Sequence, residues 1–159
     1  MSTIQIFLFG NFELLINGKK IDSQLWQSRQ LRTILKLLVA KRGTPVPGSQ
    51  IIEHIWPDKD PEIGNQHLYV RISQLRKILK SSGLHNIIQT CGQGYVFNAD
   101  ENHCWIDVED FEKIANKGRK YLEIKDYNAA IQLFQKAAVI YRADYLIEEI
   151  GRASCRERV

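Results

Sequence analysis

The residues of this 159-residue chain that could do chemistry fall into two sets. The set that would serve catalysis or metal binding does not assemble. Cys91, Cys104 and Cys155 are odd in number and lack Cys-x-x-Cys spacing, which fits a reducing compartment and neither a disulfide framework nor a zinc module. His103-Cys104 beside Cys91 comes nearest to a ligand cluster. Adjacent residues cannot readily share one tetrahedral ion, however, and a fourth ligand is missing. Asp107, Glu109 and Asp110 sit where a helix start favours negative charge, not as an acid–base pair. There is no Gly-rich phosphate loop, nucleophile elbow or His-x-x-x-His pattern. The expectation is a non-enzyme with no metal and no cofactor.

The second set is denser. Gln66, Tyr69, Val70, Arg71, Ser73, Gln74, Arg76 and Lys77 crowd into the first part of a stretch, Ile63 to Ala99, that contains no acidic residue. Amides, hydroxyls and cations are the groups that hydrogen-bond base edges and phosphates, and Tyr69 and Val70 could touch a thymine methyl. A carboxylate among them would repel a phosphate backbone. A merely solvated helix face explains the cations but not the missing acids.

These residues need elements to hold them. Leu68, Ile72, Leu75 and Leu79 cluster within about 60° on a helical wheel, which predicts a helix from about Asn65 to Ser82, stopped by Gly83. Gln66, Val70, Ser73 and Lys77 then point opposite that stripe, with Gln74 beside them, and Arg71 and Arg76 flank it. Upstream, Leu31, Ile34, Leu35 and Leu38 form a second helical stripe, with Ser28 as N-cap and Gly43 as terminator. Ile51, Ile52 and Ile55 mark a short helix ended by Pro57, Thr44–Pro47 is an extended link, and 58–64 is a polar loop. The chain opens with strands at 4–9, 12–16 and 19–21, the last two joined by the hairpin signal Asn17-Gly18. Ile87–Thr90 and Tyr95–Asn98 are short strands around the hairpin tip Cys91-Gly-Gln-Gly94. Sheet, three helices and a hairpin, with the third helix the longest, describe a winged helix-turn-helix whose third helix enters the major groove.

Charge divides the chain in the same way. Residues 1–98 hold 12 Lys/Arg against 6 Asp/Glu, while residues 99–147 hold 7 against 9, so the positive balance belongs to the first part. No apolar run approaches the roughly eighteen residues of a membrane span, and the apolar start 4–9 lacks the flanks of a signal peptide. A cytoplasmic chain with no membrane partner is expected.

Phe9-Gly-Asn-Phe12, Asn17-Gly18, Trp26, Ser28-Arg29, Ile55-Trp-Pro57, Leu75-Arg-Lys77 with Leu79, and Gly94-Tyr95 form a spaced series over residues 4–98. This series resembles the OmpR/PhoB-type winged-helix domain, in the variant found at the front of the bacterial antibiotic-regulatory-protein (SARP) activators. The resemblance implies that Tyr69, Val70, Arg71, Ser73 and Gln74 face bases or nearby phosphates, and Gln66 joins them by its place on the same helix face. It also implies that Arg76 and Lys77 hold phosphates, and that Thr90, Gln93 and Tyr95 form the wing contact. Gly48-Ser49-Gln50 and Val96 stand where relatives often carry a basic residue, so two phosphate contacts are not expected here.

Within a segment 106–149, residues 106–146 read as helical, the second helix carrying Ala130, Leu133, Phe134, Ala137 and Tyr141 after a turn at Lys125-Asp126. Gly118, Tyr121, Ala130, Phe134 and Ala137 have the spacing of a tetratricopeptide repeat. The segment resembles the start of the bacterial transcriptional activator domain, with Ile114 at the repeat's usual Trp and its Pro absent. Residues 150–159 have no apolar period and read as a frame of a sequencing adapter, hence a non-native tail. The expected fold is thus an α+β winged helix-turn-helix with an N-terminal antiparallel sheet, followed by an all-α TPR-like hairpin. The expected function is a sequence-specific regulator, an activator, partnered by double-stranded DNA and by RNA polymerase or a sensory module, dimeric on direct-repeat DNA. The alternative is a protein-interaction adaptor that uses the same two parts without DNA.

Overall fold

The computed structural model describes residues 2–26 and 28–141. The end of the 106–149 segment and the expected tail at 150–159 lie outside the described residues. In chain order the elements are β1 (Ile4–Phe7), β2 (Glu13–Ile16), β3 (Lys19–Lys20), a 3₁₀ turn (Ser23–Trp26), α1 (Arg29–Ala40), β4 (Val46–Pro47), α2 (Gly48–Ile55), α3 (Pro61–Ser81), β5 (Ile88–Cys91), β6 (Gly94–Phe97), β7 (Cys104–Ile106), α4 (Asp107–Glu123) and α5 (Tyr127–Ile140). The chain divides into two units, one built on residues 21–103 and the other on residues 3–20 with 104 onward.

The 21–103 unit is three helices and a three-stranded sheet in the order β4-β6-β5. Ser28 Oγ accepts from the N–H of Leu31 at the start of α1. Leu31, Ile34, Leu35 and Leu38 of α1, Ile51 and Ile52 of α2, and Leu68, Ile72, Leu75 and Leu79 of α3 are all buried, so the three apolar stripes meet in one core. Trp56 is buried just past α2, its ring centroid 5.5 Å from that of His67. α3 ends in a Schellman motif: Gly83 takes φ 92°, its N–H reaches Lys80 O, and the N–H of buried Leu84 reaches Leu79 O at 2.8 Å.

Three local expectations change. The segment 58–64 is not all loop, because Asp60 is an N-cap whose carboxylate accepts from the N–H of Glu62, and α3 starts at Pro61, four residues early; an Asp-Pro pair at Ncap and N1 is a helix-start signal. Val46-Pro47 in the expected link is a strand paired with Tyr95 and Gly94. The strand at 19–21 is shorter, Lys19–Lys20.

The other unit contains a sheet in the order β3-β2-β1-β7, and β1 runs parallel to β7, with Ile4 opposite Cys104 and Ile6 opposite Ile106. The hairpin between β2 and β3 turns on Asn17 (φ 52°) and Gly18 (φ 77°), both in the left-handed region that a tight hairpin turn needs. β7 was not expected from sequence: three residues are too short a run to show a strand period, and its partner lies some hundred residues earlier in the chain. The same pairing places the opening sheet with α4 and α5. Asp107, expected as a helix-start charge, is fully buried and accepts from the backbone N–H groups of Leu8, Phe9 and Val108. In the α4–α5 hairpin, buried Gly118 lies under Phe134, where a Cβ would come within 2.8 Å of the ring. Buried Ala130 and Ala137 lie on α5. This helical hairpin follows the winged helix as expected.

Candidate nucleic-acid interface

α3 buries one stripe against α1 and α2 and leaves the opposite face to solvent. Gln66, Tyr69, Val70, Gln74 and Lys77 are exposed, Tyr69 at 69% and Val70 at 49%, so two apolar side chains stand in water on the face expected to read bases. Ser73 and Arg71 are half-buried on the flank. Arg71 is held in place: its Nε donates to Gln30 Oε1 of α1 (2.9 Å) and its Nη1 to Gln74 Oε1 (3.0 Å). That tether fixes the direction of the Gln74 amide. Gln30 had no signal in the sequence, since it acts only because α1 crosses behind α3.

Arg76 turns toward the hairpin instead. Its Nε donates to Ile88 O (3.1 Å), its Nη2 donates to Thr90 Oγ1 (2.9 Å), and its Cζ lies 5.7 Å from the centroid of the Tyr95 ring. Three expected site residues are therefore brought together by one guanidinium. Lys77, the next residue, has no hydrogen-bond or ion-pair partner among the described residues. A cleft of about 220 Å³ between the end of α3 and β5 is lined in part by Arg76, Lys80 and His85, and its two cations Arg76 and Lys80 extend the positive surface toward the end of the helix.

The β5–β6 hairpin closes through Gly92, at φ 58°, and exposed Gln93, with Thr90 opposite Tyr95 and Cys91 opposite Gly94. Its tip is seated against the start of α2: the N–H of Gly48 donates to Gln93 O (3.1 Å). A Cβ on Gly48 would meet that same oxygen at 3.1 Å and Leu68 Cδ2 at 3.3 Å. A glycine at the start of α2 thus lets the hairpin tip and Leu68 of α3 approach it closely. The first acid beyond the acid-free stretch, Asp100, is occupied locally. The N–H of Asn102, and then His103, hold its carboxyl below the usual carboxylate range.

A family model described as "Transcriptional regulatory protein, C terminal" matches residues 22–97, the span of this helix-and-hairpin unit. Over residues 22–97 the chain is similar to this transcriptional regulatory domain, in line with the OmpR/PhoB-type resemblance of the sequence. The regulatory protein DnrI of Streptomyces peucetius is 27% identical over 128 residues, covering 76% of this chain and 46% of DnrI. A solved structure of Mycobacterium tuberculosis EmbR in complex with a low-affinity phosphopeptide superimposes with a TM-score of 0.77 at 21% identity. It covers 93% of this chain and 38% of EmbR. The chain is similar to these regulators and spans less than half the length of either one. The regulator family is a non-enzymatic one. No helix among the described residues is long and apolar enough to cross a membrane.

Proposed function

We propose that this SARP-like regulator binds double-stranded DNA sequence-specifically and acts as an activator. In this reading α3 lies in the major groove and the β5–β6 hairpin is the wing against the backbone. Gln66, Tyr69, Val70, Ser73 and Gln74 meet base edges or adjacent phosphates, and Arg71 orients Gln74. Lys77 binds phosphate, and Thr90, Gln93 and Tyr95 supply the wing contact. The observation that carries the reading is the outward face of α3, which combines a partner-free cation, amides and exposed Tyr69 and Val70 inside a stretch without one acid. Such a face gives a protein-only adaptor no advantage.

Functionally we divide the chain into a DNA-binding part, 1–98, and the start of a TPR-like activator domain, 106–149. RNA polymerase or a sensory module is the partner of the second part, and a homodimer on direct-repeat DNA is the assembly. A regulator of this kind works in the cytoplasm. The test is selection from a random duplex pool with the whole chain, followed by anisotropy on the enriched site at two salt concentrations. A short enriched motif bound in a salt-sensitive way is expected. Absence of binding at low salt would leave the adaptor reading.

A further inference from the structure

We infer that Arg76 is a positioning residue that locks the wing to α3, and that it contributes to DNA affinity through the wing instead of holding a phosphate itself. The lock is a property of the free protein; only its effect on affinity rests on the DNA-binding reading.

The geometry is that of a clamp on an edge strand. β5 lies at the outer edge of the β4-β6-β5 sheet and is paired on one side only. A two-stranded hairpin holds poorly by itself, and an edge strand leaves backbone groups without a ladder partner. Arg76 supplies, from α3, donors that a neighbouring strand would otherwise give: Nε to the carbonyl of Ile88 and Nη2 to the hydroxyl of Thr90, two residues further along β5. Its charge also lies against Tyr95, the cross-strand partner of Thr90, so both strands of the hairpin are engaged. The planar fork of an arginine meets two such acceptors from two separate nitrogens in a fixed geometry, which the single nitrogen of a lysine does not reproduce.

Because the Thr90 oxygen accepts from Arg76, its own O–H remains free to donate. Arg76 thereby turns the wing hydroxyl into a directed donor for a phosphate oxygen. Arg76 and Lys77 are neighbours in sequence but divide the work. Lys77 stands in solvent and is available to DNA, while two of the five guanidinium N–H groups of Arg76 are spent on the wing.

The test combines amide hydrogen exchange on the free, full chain with binding to a random-sequence duplex across a salt series, for Arg76→Ala, Arg76→Lys, Thr90→Val and Lys77→Ala. Arg76→Ala is expected to speed exchange of the amides of residues 88–91 and 94–97 by about tenfold or more, with those of Leu68 to Leu75 unchanged. Arg76→Lys should recover only part of that protection. On DNA, Arg76→Ala should weaken binding while keeping the wild-type salt slope, whereas Lys77→Ala lowers the slope by about 0.9. Unchanged wing exchange in Arg76→Ala would overturn the lock, and a slope reduced as in Lys77→Ala would make Arg76 a phosphate ligand. If Arg76→Ala loosens α3 as well, Thr90→Val removes one arm of the clamp without disturbing the helix, and unchanged wing exchange in that variant overturns the lock equally. If the wild-type chain binds no DNA, the proposed function fails, and the exchange data still decide the clamp.

Discussion

Asp107 illustrates how much one side chain can carry. Its carboxylate, with no exposed surface, accepts from the N–H of Leu8 through both oxygens (2.9 and 3.0 Å), and from Phe9 (3.0 Å) and Val108 (2.8 Å). An asparagine has nearly the same shape but turns one acceptor into a donor that faces backbone donors. Asp107→Asn should therefore cost about 2–3 kcal/mol, read as a lower urea midpoint; an unchanged midpoint would mean that other groups take over its bonds. On the DNA side, residue identity separates affinity from preference. Val70→Ala or Gln74→Ala should alter the selected site, with discrimination at the base each one reads falling by about 1–3 kcal/mol. Arg71→Ala should shift the preference too, because Gln74 loses its tether. An unaltered motif in all three variants would show that α3 is not the reader.

At the scale of elements, the ends decide as much as the stripes. α4 closes on a Schellman motif like that of α3, with the N–H of Lys125 on Leu122 O (3.0 Å) and that of Asp126 on Tyr121 O (2.9 Å). Here the left-handed residue is Lys125, at φ 62°, not a glycine. Lys125→Gly should relieve the Cβ strain and raise stability by about 0.5–1 kcal/mol, visible as a higher thermal midpoint; a lower midpoint would mean that chain entropy outweighs the strain. Gly118→Ala tests the hairpin itself. Its Cβ would press on the Phe134 ring from three atoms between 2.8 and 3.1 Å, so a loss of about 1–3 kcal/mol is expected. No loss would show that Phe134 can swing aside.

For the whole molecule, the unit that opens the chain is completed by residues that come after the winged helix. Ending the chain at Asn98 would strip β7 from β1 and remove Asp107 from Leu8 and Phe9. Residues 4–16 in that fragment should lose amide protection relative to a chain that runs to Tyr141, while α1 to α3 keep theirs; equal protection in both would show that β7 is dispensable. The sequence was most informative where periodicity is local. Leu68, Ile72, Leu75 and Leu79 determined the buried side of α3, and so which residues face outward, because a helix repeats within a few residues and needs only its own pattern. The Asn17-Gly18 turn, the Ser28 cap and the acid-free composition of 63–99 were legible for the same reason. The Asp60-Pro61 start was also written there, though the polar run around it reads first as a loop. Tertiary structure alone decided which distant residues meet: β7 beside β1, Asp107 under Leu8, Gln30 behind Arg71, Gly48 against Gln93, and Arg76 turned to the wing. Each of these depends on where a second element lies in space. A guanidinium has the same sequence signature whether it meets a phosphate, a carbonyl or a hydroxyl, and only the packed fold selects its partner.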